Sequence, residues 1–249
     1  MMKILTLLYF LCTSAVAAPI TFVTESLPPY QIVDKNQKLI GGTSFAIMQR
    51  LTKRSQLNVQ FEVMPWSRAY KTALTKKNTF IFSIARSPQR ENLFHWVGHI
   101  RQLKFHFYGL SRTNKDGASI THLISNQRVA SVRGSIEVDL LKQIGFKENE
   151  NLILTDSYQA AWKLVLKGRA DSVYGNEYIA KGMTKSLGLD KATFSVNFTL
   201  NQVLNLYLAA NIETDEDLIK RVKIEFNQMI MEGELDHIIT QQENIIFNN

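Results

Sequence analysis

Arg128-Val129-Ala130-Ser131-Val132-Arg133-Gly134-Ser135-Ile136-Glu137-Val138-Asp139-Leu140-Leu141-Lys142-Gln143-Ile144-Gly145 reads as one strand, one tight turn and one helix. Arg128 to Val132 is β-prone. It runs straight into Arg133-Gly134-Ser135, and the helix that follows carries Val138, Leu141 and Ile144 on one face before Gly145 stops it. The same unit recurs outward from this stretch. Downstream, Leu152 to Thr155 is a strand, and Ser157 caps a helix with Ala160, Ala161, Leu164 and Val165 that ends at Gly168. Asp171 to Gly175, Thr193 to Asn197 and Val203 to Ala209 are further strands. Thr214-x-x-Asp217 resembles a capping box before a helix with Leu218, Val222, Phe226 and Met229 on one side. Upstream, Ile20 to Thr24 is a strand that leads into the extended loop Glu25-Ser26-Leu27-Pro28-Pro29-Tyr30. After Gly41-Gly42, Thr43 or Ser44 caps a helix with Phe45, Met48 and Leu51. Val59, Phe61 and Val63 alternate as a strand, Ser67 to Thr75 is helical, Phe80 to Ile84 is a buried strand, and Leu103, Phe105 and Phe107 alternate again. Strands alternating with helices predict α/β architecture with mostly parallel, doubly wound sheets. Ligands in such sheets bind beyond the carboxyl ends of the strands.

The chain has 249 residues, 45% hydrophobic and 20% charged, as expected of a globular protein. Its one cysteine, Cys12, excludes a disulfide scaffold and a cysteine zinc site. Lys3, the apolar run Ile4 to Thr13 and Ala15-Val16-Ala17 predict a cleaved export signal over residues 1–17, with cutting before Ala18. Leu11 stands before Cys12 where a lipoprotein anchor wants a small residue. Removing residues 1–17 leaves 232 residues and lowers the net charge from +7 to +6. The expected location is the periplasm. Basic residues are scattered, with nothing denser than Lys53-Arg54 or Lys76-Lys77, so nucleic acid is not an expected partner.

The nucleophile-elbow, zinc-protease, Walker and dinucleotide-binding motifs are missing. His95 and His99 have the i, i+4 spacing of a helical metal pair, but Trp96-Val97-Gly98 between them favours strand or turn, and no metal is expected. Asp215, Glu216 and Asp217 fit a helix N-terminal turn.

Three segments taken in order resemble the bacterial extracellular solute-binding protein family 3, the periplasmic amino-acid-binding type. They are Glu25 to Tyr30 with Gly42 downstream, Ser83-Ile84-Ala85-Arg86-Ser87-Pro88-Gln89-Arg90-Glu91 with Phe94 to Gly98, and Val132 to Ser135 with Leu166 to Val173. The resemblance implies a periplasmic binding protein-like type II fold, with two α/β lobes joined by two hinge strands. Lobe 1 is residues 18–107 plus 204–249, and lobe 2 is residues 108–203. It implies a monomer without cofactor that traps a small anionic or zwitterionic ligand for an ABC permease or a membrane sensor. Arg90 matches the arginine that grips the ligand carboxylate, with a forked donor pair suited to it. Gly134 and Ser135 match an anion-binding turn at a helix N-terminus. Tyr30 and Trp66 stand where the family has aromatic pocket walls, and Arg68 and Arg86 are further basic candidates near the cleft.

The pattern also departs from the family. Asn176, followed by Glu177, stands where an aspartate usually holds the ligand ammonium, and Ala85 stands where a hydroxyl residue is usual. These changes suggest a carboxylate ligand without an amino group. An enzyme on the same fold, resembling cyclohexadienyl dehydratases, is the alternative, with Glu25 and Glu177 as its candidate acids. A cleft that has lost small-molecule binding and serves as an interaction surface is a third reading.

Overall fold

The computed structural model describes residues 19–111 and 119–248. The predicted signal segment 1–17, Cys12, Ala18 and all but the first residue of the polar loop 111–117 lie outside the described residues. Among the described residues, ten strands and eight helices follow one another. They are β1 (Ile20–Thr24), β2 (Ile32–Val33), β3 (Leu39–Gly41), α1 (Thr43–Arg54), β4 (Val59–Val63), α2 (Trp66–Thr75) and β5 (Thr79–Ala85). A 3-10 turn at Pro88–Leu93 leads to β6 (Phe94–Leu110), followed by α3 (Ile120–Asn126), β7 (Val129–Val132), α4 (Ile136–Gln143) and β8 (Leu152–Thr155). Then come α5 (Tyr158–Leu166), β9 (Ser172–Asn176), α6 (Glu177–Ser186), β10 (Phe194–Asn211), α7 (Glu216–Met231) and α8 (Glu234–Asn248).

Eight strands form one sheet in the order β4-β1-β5-β10-β6-β9-β7-β8. The flanking triplets β4-β1-β5 and β9-β7-β8 are parallel. The centre is antiparallel: β10 pairs with β5 and β6, and β6 pairs with β9. The sheet is therefore parallel only toward its two ends, which corrects the mostly parallel expectation. Each flank repeats one pattern, a parallel triplet finished by a long antiparallel strand, so the molecule has two similar halves that share β6 and β10. Thr193 to Asn197 and Val203 to Ala209, expected as separate strands, belong to the single strand β10, with an irregular register between Thr199 and Val203. Phe80 to Ile84 is wholly buried, yet parallel on its β1 side only.

Two apolar clusters cover the sheet. Phe22, Phe80, Phe82 and Leu208 pack against Met48 and Leu51 of α1 and Val222 and Phe226 of α7. On the opposite face, Val23, Ile81, Ala69 and Ala73 continue into Val129, Ala130, Trp162 and Val173. The cap of α7 is Asp215, whose carboxylate accepts from the backbone of Asp217 and Leu218 at 3.1 Å each, and not Thr214. Helix α1 is capped by neither hydroxyl. Thr43 and Ser44 lie inside it, and their N–H groups donate to the carbonyls of Pro29 and Tyr30 at 3.1 and 3.0 Å. Gly42 permits this approach: its φ is +107°, and a Cβ there would stand 2.4 Å from the Tyr30 carbonyl oxygen. Ser157 and Gly145 act as expected, with Ser157 accepting from Ala160 N–H and Gly145 following the end of α4 at φ +112°.

Candidate functional site

The carboxyl ends of four strands, β1, β5, β7 and β9, converge on one cavity of about 30 Å³ beside β6 and β10. It is room for a few waters. Chain direction places the polar groups there. Glu25 directly follows β1, Ser83 and Ala85 end β5, Ser135 and Glu137 open α4 after β7, and Asn176 ends β9. Leu103, Phe105, Leu204 and Leu206 of the long strands make its apolar floor.

Arg90 lies in the 3-10 turn and is 4% exposed. Its guanidinium donates to the carbonyls of Ala85 at 3.2 Å and Gly134 at 3.3 Å, and stands 5.0 Å from the Tyr70 ring centroid and 6.0 Å from that of Trp66. No ion pair joins it to an acid among the described residues, although Glu25 and Glu137 line the same cavity. Trp66 lines the wall and donates Nε1–H to the Gly134 carbonyl at 2.9 Å. Tyr30 donates its hydroxyl to Asn176 Oδ1 at 3.3 Å, and burial holds that phenol well above its ordinary range.

Asn176 has an evident local use. Its Oδ1 also accepts from Ile179 N–H at 3.0 Å and caps α6, while its Nδ2 is buried without a partner, and the residue lines the cavity. Ser135 begins α4 without a side-chain cap bond, and its Oγ is likewise buried and unpartnered. Gly134 contributes its carbonyl to the contacts across the cleft and adopts φ +73°. Ser83, a non-glycine residue at φ +60°, donates to Ser44 Oγ at 2.9 Å and accepts from Gln31 Nε2, which ties the cavity wall to α1.

Two of the expected residues do not line this cavity. Arg68 projects from the exposed face of α2, outside the cavity, because the buried positions of that helix are Trp66, Ala69 and Ala73. Arg86 also lies outside. It pairs with Glu91 and stacks 5.3 Å from the centroids of both Trp96 and Tyr207. His95 and His99 lie on β6, where four residues span about 13 Å. They make separate contacts, His95 with the Ile212 carbonyl and His99 with the Tyr207 ring. Glu177 is exposed and pairs with Lys181.

Sequence reasoning missed Glu137. The sequence reading gave it no role, yet it is 4% exposed, lines the cavity and accepts from the Tyr158 hydroxyl at 2.5 Å. The available signal was its position two residues beyond Ser135 in the quoted unit. Glu25, expected only as a candidate catalytic acid, is 6% exposed in the same cavity. Burial, and secondarily the charge of Glu137, raise its pKa well above the ordinary carboxylate value. Tyr158 is shifted upward too, by burial first and then by both acids. The cavity thus holds two acids although Asn176 is neutral.

The described residues include no helix long and apolar enough to cross a membrane. A search of curated proteins found no significant match. Solved structures share the fold. A histidine kinase sensor domain with similarity to periplasmic binding proteins superposes with a TM-score of 0.79 at 15% identity, over 91% of this chain and 96% of that one. An ancestral arginine-binding protein bound to glutamine gives 0.75 at 17% identity, over 93% and 98%. The arginine-, lysine-, histidine-binding protein ArtJ from Geobacillus stearothermophilus gives 0.77 at 12% identity, over 93% and 96%. The fold is thus that of the type II periplasmic binding proteins. The family model for bacterial extracellular solute-binding proteins, family 3, matches residues 20–242, and the chain belongs to that family.

Proposed function

We propose that this protein is a non-catalytic periplasmic solute-binding protein that closes two lobes on a small carboxylate-bearing ligand. The observation that carries the reading is Arg90, a buried guanidinium that faces the cavity with no acid partner among the described residues. A desolvated cation of this kind is costly until an anion meets it, and a carboxylate accepts its fork in paired bonds. Family 3 and its structural neighbours are mainly binding proteins, which supports binding over catalysis. The lobes are residues 18–107 with 204–249, and 108–203. The shared strands β6 and β10 support this division. Delivery is to an ABC permease or a membrane sensor. Both destinations have fold relatives, an amino acid ABC transporter substrate-binding protein and a kinase sensor domain. Residues 1–17 act as a cleaved export signal in this reading.

The test is thermal stabilisation of the purified protein against amino acids, dicarboxylates, keto acids and polyamines. A ligand at a hundred times its Kd adds about 2.7 kcal/mol. Stabilisation by a carboxylate that is recovered unchanged, and lost in Arg90→Ala, supports the proposal. A ligand recovered as product moves the protein to the enzyme class.

A further inference from the structure

Building on the two-lobed binding reading, we infer that the C-terminal helix α8 is a latch that holds the two halves closed before a ligand arrives. The halves already meet across the cleft in this structure: Trp66 Nε1–H and Arg90 both donate to the Gly134 carbonyl, Tyr30 bonds Asn176, and Pro28 lies against Gly182. Helix α8 starts in the half that contains β1. Leu235 joins the cluster of Met48, Leu51, Val222 and Phe226, with Ile238 and Ile239 packed beside it, and Glu234 pairs with Arg50 and Arg54. Its far end leaves that half and lies on α6, which follows β9 in the other. Lys185 Nζ donates to the Ile246 carbonyl at 2.7 Å, the Tyr178 and Phe247 ring centroids are 6.0 Å apart, and the Lys181 ammonium stands 5.6 Å from the Phe247 centroid. Arg101 of β6 pairs with Glu243 and lies 3.8 Å from the Tyr178 centroid, which completes the group.

The chemistry favours this seat. The last carbonyls of a helix have no partner within it and carry its negative end, and the two lysines of α6 are the complement they need. Tyr178, Lys181 and Lys185 recur at i, i+3 and i+7, on one stripe of α6. Gly182, next to Lys181, admits Pro28, and Asn176 at the head of the helix meets Tyr30. From its head to its last turn, α6 thus rests on the first half, and the cleft opens only when these contacts part. Tyr30 joins latch and cavity. It lines the cavity, and Arg101, Tyr178 and Glu243 all lie near enough to act on its hydroxyl. Loss of the α8 contacts is expected to shift the balance of closed and open forms about tenfold toward open, the combined worth of a cation at a helix end and an aromatic pair.

The Trp66 indole is a natural reporter. Its N–H bonds across the cleft, and its bonded and ring partners, Gly134, Tyr70 and Arg90, are on neither α6 nor α8. The experiment follows solvent exchange of that proton by NMR in the purified, ligand-free protein, with the resonance assigned by Trp66→Phe. In the unaltered protein the proton is expected to be protected. In Lys185→Ala/Phe247→Ala it is expected to exchange about tenfold faster, in step with the open population, while circular dichroism is unchanged. Lys185→Met, which keeps the stem of the side chain, is expected to move in the same direction by less, and it decides the matter where the double variant does not fold. Unchanged exchange in the variants overturns the latch, and so does an unprotected indole in the unaltered protein. Neither result touches solute binding, which the stabilisation panel tests separately. A protected indole that the variants expose, with no stabilisation by any compound of that panel, keeps the latch and overturns the solute-binding reading.

Discussion

Arg90 and Glu25 are buried charges held for different reasons, and they respond differently to change. Arg90 is held in place by two carbonyls and two aromatic faces but in no ion pair among the described residues, so its removal is expected to cost binding more than folding. Arg90→Ala is expected to lower carboxylate affinity about 10- to 100-fold, the worth of hydrogen bonds to a charged group. Arg90→Lys recovers little of this, because an ammonium lacks the planar fork. Calorimetry on the three proteins checks both. Glu25 binds its proton more tightly in the folded protein than in the unfolded chain. Its contribution to stability is full below the ordinary carboxylate value of 4.5 and falls as pH rises through the folded value. Glu25→Gln is therefore expected to raise the melting temperature at pH 7 to 8 and to leave it nearly unchanged at pH 4. The gain is about 1.4 kcal/mol per unit of pKa shift, each kcal/mol worth about 2–4 °C in a chain of this size. An equal gain at both pH values would show that charge burial is not the cause.

At the scale of elements, α6 is pressed against the loop after β1. Gly182 allows it, since a Cβ there would stand 2.6 Å from the Pro28 carbonyl carbon and oxygen. Tyr30 meets Asn176 at the same junction. Gly182→Ala strengthens the helix itself by about 1 kcal/mol, but it wedges α6 away from Pro28. Overpacking of this kind costs about 1–3 kcal/mol. The expected outcome is retained helical content with ligand affinity reduced tenfold or more. Circular dichroism and calorimetry together test it, and unchanged affinity would show that this contact is not used in closing.

At the scale of the whole molecule, α8 bridges the two halves away from the cavity. Arg101 of β6 pairs with Glu243 and lies 3.8 Å from the Tyr178 ring centroid on α6. Lys185 of α6 donates to the Ile246 carbonyl at 2.7 Å, and Tyr178 and Phe247 are 6.0 Å apart. These contacts hold α8 against β6 and α6. Phe247→Ala is expected to enlarge the radius of gyration of the ligand-free protein in solution scattering and to weaken apparent affinity by the fraction of molecules moved to the open form. Ligand should restore the compact form. If the radius does not change, α8 is packing only and not a strap.

Much of this molecule was written locally. The quoted strand-turn-helix unit, the Ser157 cap and the Leu218-Val222-Phe226-Met229 face are patterns of near neighbours, and local patterns survive folding unchanged. The order of three short segments was enough to indicate the family, and Arg90 could be singled out from its place among them. Other features needed the third dimension. The two strand signals near 193 and 203 merge because β6 runs beside both, a pairing across some hundred residues that periodicity does not carry. The exposed positions of Arg68 and Arg86 depend on which face of α2 is buried and on where Glu91 and Trp96 lie. Glu137 carries no signal of its own in the sequence, and only the fold brings it into one cavity with Glu25, Tyr158 and the ends of four strands. By itself the sequence determined the elements and the family, because periodicity and caps act over a few residues. The tertiary structure alone decided which charges share the cavity, because that depends on strand ends brought together from distant parts of the chain.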